Sequence, residues 1–387
     1  PTGERRSGLP QGTPKMKKRR SRDGLVRTLT LIPSIILVAI FVYGFIGNTV
    51  WVSLTDWGAE NALRLDPDIE FVGLRNYRAL FTDVVDTRFR QDIVNTFTYM
   101  ILIISGAIAI GLTTAVLLDR EPPGQSTFRT IFLYPMALSF VVTGTIWRWM
   151  FAPSGGVNLI PTLFGLERGQ FQWLSSRMSI LNFNWQDVLY IVAFIVAAIL
   201  GTIAYRRFRR LGARSAIVPG IIAALLLLWS IVQWPQVQAL SYEEPHGVNL
   251  ATFGVIIAAV WQYSGYTMAL FYAGLQGIPE TLHDSARING ASELQYYWLI
   301  AIPLLKSTAL SAIIILSHVS LKIFALIFSM AGPDNAATGH PAVLMYLTTF
   351  RANNFAKGAA ISLVLFLIAA LFVIPYLVSS HRERSGA

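Results

Sequence analysis

The sequence predicts an all-α integral membrane protein with about eight transmembrane helices, and three observations lead there. Of the 387 residues, 54% are hydrophobic and 13% charged, with a mean hydropathy of +0.52; soluble domains are far more polar. Eight segments stay apolar for about the 20 residues that a bilayer crossing needs. Basic residues gather on alternate connections, with 20 of the 31 lysines and arginines on one side. The positive-inside rule makes that side cytoplasmic and places both termini there.

The first element is a basic tail, residues 1–27, whose run Lys15 to Arg22 suits anionic lipid head groups. It lacks a signal peptide's apolar core and cleavage site, so the first span, 28–54, is expected to remain as an anchor. An outer loop, 55–93, balances five arginines with eight acidic residues, and spans at 94–118 and 128–152 follow. The next pair, 188–205 and 216–235, reads as joined by the basic turn RRFRRLGARS (206–215). Ala193, Ala197 and Gly201 recur every four residues there and give a smooth face for close helix packing. The last spans are 249–276, 302–330 and 358–380, with 381–387 as a second cytoplasmic tail. The net charge of +10 follows from topology, and no nucleic-acid partner is expected.

The connection 278–301 is unlike a structureless loop and reads as two short helices forming an elbow. Pro279 suits a first helical position, with Glu280 in the positive end of the helix dipole. Glu280 and Asp284 lie four apart, and Arg287 lies three beyond Asp284, a spacing that allows pairing on one face. Gly290 suits the left-handed residue that ends a helix. Ser292 to Gln295 has the S-x-x-Q form of a capping box that opens the next helix.

Several chemistries are excluded. With no cysteine, disulfides and thiolate metal sites are absent, and the five histidines show no zinc-ligand spacing. There is no G-x-x-x-x-G-K-[ST] phosphate loop, no H-E-x-x-H and no G-x-S-x-G, so no catalytic residue and no cofactor is expected on this chain. An ion-coupled secondary transporter would need intramembrane carboxylates and internal repeats. Nearly every Asp and Glu lies outside the spans, which leaves that reading as the less favoured rival.

The elbow, Asp284-Ser285-Ala286-Arg287-Ile288-Asn289-Gly290-Ala291 followed by Ile302-Pro303, resembles the E-A-A-x-x-x-G coupling motif of ABC importer permeases, with Asp for Glu and Ser for Ala. IPSIILVAIFVYGF, SLTDW (53–57), FVGLRNYRALF (71–81) and NTFTY (95–99) resemble the opening of that family's sugar-importing branch, typified by the maltose permease. LYPMALSFVVTGTIWRWMFAPSGGVNLI (133–160) and SLKIFALIFSMAGPDNAAT (320–338) resemble two of its later spans. The resemblance implies a six-span type I importer core, built from 28–160 and 248–380, with 161–247 as an inserted two-span hairpin. It also implies a cytoplasmic-membrane location and coupling to the ATPase through Glu280, Asp284, Ser285, Ala286, Arg287, Asn289, Gly290 and Ala291. The implied partners are a dimer of ABC ATPases that hold the ATP and Mg, a second homologous permease, and an extracytoplasmic sugar-binding protein.

Sugars are held by hydrogen bonds and by aromatic faces, and two spans carry such groups. One offers Trp261, Gln262, Tyr263, Ser264, Tyr266 and Thr267. The other offers Ser317, His318, Ser320, Lys322 and Phe324. Each has a structural alternative: Lys322 snorkels to head groups, and His318 binds a neighbouring helix. The stretch 338–362 resembles permeases for glucose, mannose or small glucosides; trehalose, glucosylglycerol and polyols stay open.

Overall fold

The computed structural model describes residues 31–62, 64, 65, 68–83, 87–175, 179–181, 185–233 and 248–384. The basic tail 1–27, and with it the lipid contact expected at Lys15 to Arg22, lies outside the described residues. By internal contacts the chain divides into two units, residues 1–52 and 53–387. In the first, helix α1 (Leu31–Ser53) is long and apolar enough to cross a membrane, with a π-helical stretch at Ala39–Gly44.

The second unit is built on two helices, α3 and α8. After the short helix α2 (Arg75–Thr82), α3 runs unbroken from Arg88 to Asp119. Next come α4 (Gln125–Ala137) and α5 (Phe140–Met150), which bend by 102° at their junction. The predicted straight span 128–152 is therefore two helices. Pro135 tightens the chain into a 3-10 turn, and Ser139 caps the next helix by accepting from the Val142 amide at 3.3 Å.

The pair of spans expected at 188–205 and 216–235 is α6 (Trp185–Leu211) and α7 (Ala213–Gln233). The predicted ten-residue basic turn is a correction: helix continues through the arginines, and Gly212 alone, at φ +86°, reverses the chain. Arginine is a good helix former, so the polar run extends the helix beyond its apolar length. Ala193, Ala197 and Ala204 are buried, whereas Gly201 has open space where a side chain would sit. The close packing predicted for Gly201 is found instead between Ala204 and Gly220.

Ser179–Leu181 (β1) pairs antiparallel with Val248–Asn249 (β2), Ser179 opposite Asn249 and Leu181 opposite Val248. This pairing brings together the two ends of the segment that carries α6 and α7.

Helix α8 (Leu250–Gln276) starts at Asn249, whose side chain accepts from the Thr252 amide at 2.7 Å. The elbow helices are α9 (Glu280–Ile288) and α10 (Glu293–Leu304); α10 then bends by 66° into α11 (Lys306–Leu321). The predicted span 302–330 is broken again at Lys322 and Ile323 before α12 (Phe324–Met330). Helices α13 (Pro341–Tyr346) and α14 (Phe355–Arg384) complete the unit. Among the described residues, four helices are long and apolar enough to cross a membrane, or up to six if each bent pair is one span.

Lipid tails are as apolar as leucine, so helices in a bilayer associate by close packing and hydrogen bonds. The α3–α8 contact follows that rule. A side chain at Gly111 would fall on Thr267 Oγ1, and Thr267 Oγ1 donates to the Ala107 carbonyl at 2.6 Å. One turn away, Val260 sits against Gly106. Three apolar clusters surround this seam. One joins Tyr99, Val255, Ile323 and Met330; one joins Leu118, Phe271, Tyr297 and Leu305; one joins Leu80, Phe89 and Ile361.

Packing this tight makes a specific prediction. A Cβ at Gly265 would fall on the Phe132 carbonyl oxygen, a backbone atom that cannot rotate away. Gly265→Ala should lower stability by about 1–3 kcal/mol through overpacking, read as a lower melting temperature in detergent. Gly201→Ala, with nothing within 4 Å, should leave it unchanged or slightly raised; equal effects at both positions would contradict this packing.

Candidate functional site

The elbow is held by local bonds that the sequence anticipates. Gly290 adopts φ +79°, and the chain closes behind it in a Schellman arrangement. The Gly290 amide donates to the Arg287 carbonyl at 2.9 Å and the Ala291 amide to the Ala286 carbonyl at 3.0 Å. Both halves of the capping box form: the Gln295 amide donates to Ser292 Oγ at 3.3 Å, and the Ser292 amide to Gln295 Oε1 at 2.8 Å. Pro279 is one residue earlier than predicted, as the N-cap of α9, and Glu280 is in its first turn.

The predicted pairing of Arg287 with Asp284 is a correction, since among the described residues the two form no ion pair. Both are exposed, where an i,i+3 pair is worth only about 0.2–0.5 kcal/mol. The elbow's electrostatic tie instead bridges its two helices: His283 Nε2 lies 3.2 Å from both carboxylate oxygens of Glu293. The His283 ring also packs edge-on against Tyr296, with centroids 4.6 Å apart.

One face of this elbow is anchored and the other is free. Ala286, Tyr296 and Tyr297 are buried against Leu118, Phe271 and Leu275 of the long helices. Tyr297 donates its hydroxyl to Asp119 Oδ2 at 2.9 Å, and Gln276 Nε2 donates to Asp119 Oδ1 at 3.0 Å. Nearby, Gln125 Nε2 donates to the Leu118 carbonyl at 2.8 Å and reaches Tyr272 Oη at 3.0 Å, while Arg129 stands over the Tyr272 ring at 5.5 Å. Asp284, Ser285, Arg287, Asn289 and Gly290 all lie on the exposed side. At its tips, Ile288 is 85% and Leu294 68% exposed. A rigid, capped support that presents apolar tips is suited to seat in a partner's cleft.

The pathway candidates do not form one site. Trp261 and Ser264 line a cavity of about 580 Å³ with Ser105, Trp147 and Phe132; its remaining lining is largely apolar. Trp147 and Trp261 meet edge-on in its wall at 5.8 Å. Gln262 turns away and donates to the Leu138 carbonyl at 2.8 Å, an acceptor that the α4–α5 bend leaves without a helical partner. Thr267 belongs to the α3–α8 seam, and Tyr263 packs on Phe140 at 5.8 Å. Tyr266 is half-buried and does not line the cavity.

Ser317 and Ser320 bond back to the Ile313 and Leu316 carbonyls at 2.7 and 2.9 Å. His318 and Lys322, one turn apart, are exposed, and Phe324 joins Phe328 and Tyr346 in an aromatic group. Sequence reasoning missed Asp119, Gln276 and Tyr297. Asp119 sits where any span ends in a charge, and its role shows only once α8 and α10 lie beside it.

The comparisons with known proteins agree with this architecture. Residues 208–384 match the model of the binding-protein-dependent transport system inner membrane component. A probable ABC transporter permease of Pyrococcus horikoshii is 33% identical over 366 residues, 94% of this chain and 98% of that protein. The xylose/arabinose import permease of Haloferax volcanii is 28% identical over 90% of this chain and 86% of its own. Among solved structures, a chain of a bacterial alginate ABC transporter in complex with an alginate pentasaccharide-bound periplasmic protein has the same fold. It aligns with TM-score 0.63 at 16% identity, over 96% of this chain and 98% of its own. The chain belongs to the family of binding-protein-dependent transport system inner membrane components, the permeases of ABC transporters.

Proposed function

We propose that this permease is half of a membrane pathway that imports a sugar, driven through the elbow by ATPase subunits on the cytoplasmic side. The observation that carries the reading is the two-faced elbow: Tyr296 and Tyr297 are buried against α3 and α8, while Ile288 and Leu294 stand free. The partners are a dimer of ATPases holding ATP and Mg, a second homologous permease, and an extracytoplasmic binding protein that delivers the sugar. Closure of the ATPase pair on ATP displaces the elbow, and the spans attached to it move as rigid bodies and open the pathway outward. Such coupling needs only different contacts in the two states and no chemistry on this chain.

Eight spans, with both termini and the elbow in the cytoplasm, fit the charge asymmetry. The α6–α7 hairpin adds two crossings at once, which leaves the orientation downstream unchanged. The substrate is of the size of glucose, mannose or a small glucoside; the stretch 338–362 and the likeness to a xylose/arabinose permease support this choice.

Two experiments test the reading. Proline fixes φ near −65°, whereas Gly290 needs +79°. Gly290→Pro should therefore abolish ATP-driven uptake of labelled glucose, mannose and glucosides in cells carrying the complete transporter, with the permease still in the membrane. Unimpaired uptake would refute the elbow's role. For topology, the absence of native cysteines allows unique labelling. A membrane-impermeant maleimide should reach Asp334→Cys from outside intact cells, and Ser215→Cys or Ile288→Cys only after permeabilisation. Labelling of Ile288→Cys from outside would invert the proposed orientation.

A further inference from the structure

We infer that Asp119 is the joint through which the elbow moves the outer turn 333–340, with the α3–α8 pair as the rod between them. This rests on the elbow reading above. At the inner end, the one Asp119 carboxylate accepts from Tyr297 on α10 and from Gln276 at the end of α8. It therefore fastens the second elbow helix to both long helices.

The outer ends of the same two helices hold the turn. From α3, Arg88 Nη2 donates to the Pro333 carbonyl at 3.1 Å, Asn95 Nδ2 to the Gly339 carbonyl at 3.3 Å and Tyr99 Oη to the Thr338 carbonyl at 3.3 Å. From the start of α8, Asn249 Nδ2 and Thr252 Oγ1 both donate to the Ala337 carbonyl, at 2.7 and 2.9 Å.

Both covalent routes from elbow to turn are interrupted. Backward, α9 joins α8 only through Gly277, Ile278 and Pro279, which are not helical. Forward, the chain passes through α10, α11 and α12, which bend by 66° near Leu305 and break again at Lys322 and Ile323. Such breaks absorb displacement as hinges do. Helix α3 has none: its 32 residues give an unbroken helical path of about 48 Å at 1.5 Å per residue. The Gly111–Thr267 contact locks it to α8 along the way. Displacement entering at Asp119 therefore reaches the turn with less loss than displacement passed along the chain.

The test uses the assembled transporter in proteoliposomes, with a spin label on Ile288→Cys at the elbow or on Ala336→Cys in the turn. The probe is Mg2+ with a non-hydrolysable ATP analogue, and the readout is the label's spectrum. Without further substitution, nucleotide should change both spectra. Adding Asp119→Ala should preserve the Ile288→Cys response and weaken the Ala336→Cys response. Tyr297→Phe, which deletes one oxygen and decides the matter if Asp119→Ala fails to assemble, should weaken the Ala336→Cys response in the same way. The double variant should do no more than Asp119→Ala, because both remove one joint.

An unchanged Ala336→Cys response in Asp119→Ala and Tyr297→Phe would overturn the joint while leaving the elbow reading intact. A silent Ala336→Cys label in the otherwise unsubstituted transporter, beside a responsive Ile288→Cys label, would do the same. A silent Ile288→Cys label in that background would overturn the elbow reading and the joint with it.

Discussion

The seam between α3 and α8 is the constraint on which the rest of the second unit depends. In water, two such helices would be driven together by apolar burial, but lipid removes that force. What remains is close approach and hydrogen bonding. Gly106 and Gly111 let the helices approach, and Thr267 spends its hydroxyl on the Ala107 carbonyl across the contact. With the seam fixed, α8 can hold the α4–α5 bend through Gln262 and Leu138. The two helices together also present ends that grip the turn 333–340 and the elbow.

How much of this was legible in the sequence depends on the range of the forces involved. The elbow's caps were readable because they are local. Gly290 needs only its own φ, and Ser292 and Gln295 need only each other. The apolar spans were readable from hydropathy, but their bends were not, because a bend survives only where a neighbour satisfies the freed backbone. Leu138 has such a neighbour in Gln262, which is 124 residues away. The chain reverses at Gly212 and not across 206–215, because arginines can end an apolar run without breaking a helix.

The polar residues inside the spans carry the clearest lesson. A hydroxyl or amide in a bilayer must find a partner, and cavity lining is only one way to do so. Ser317 and Ser320 bond to carbonyls one turn back, Thr267 bonds across the seam, and Gln262 caps a bend. Trp261 and Ser264 line open space. Composition nominates all of them, but only the neighbouring helices separate cavity lining from scaffold. The joint at Asp119 was invisible for the same reason.

The central claim is that the elbow's free face is where this permease meets its motor, and cross-linking from Ile288 tests it most directly. A photo-reactive amino acid at Ile288, in membranes carrying the whole transporter, would be activated and the product digested and identified by mass spectrometry. The expected product joins Ile288 to a peptide of an ATPase subunit bearing a G-x-x-x-x-G-K-[ST] loop. Adducts confined to lipid or to the permeases, with the ATPase present and bound, would contradict it.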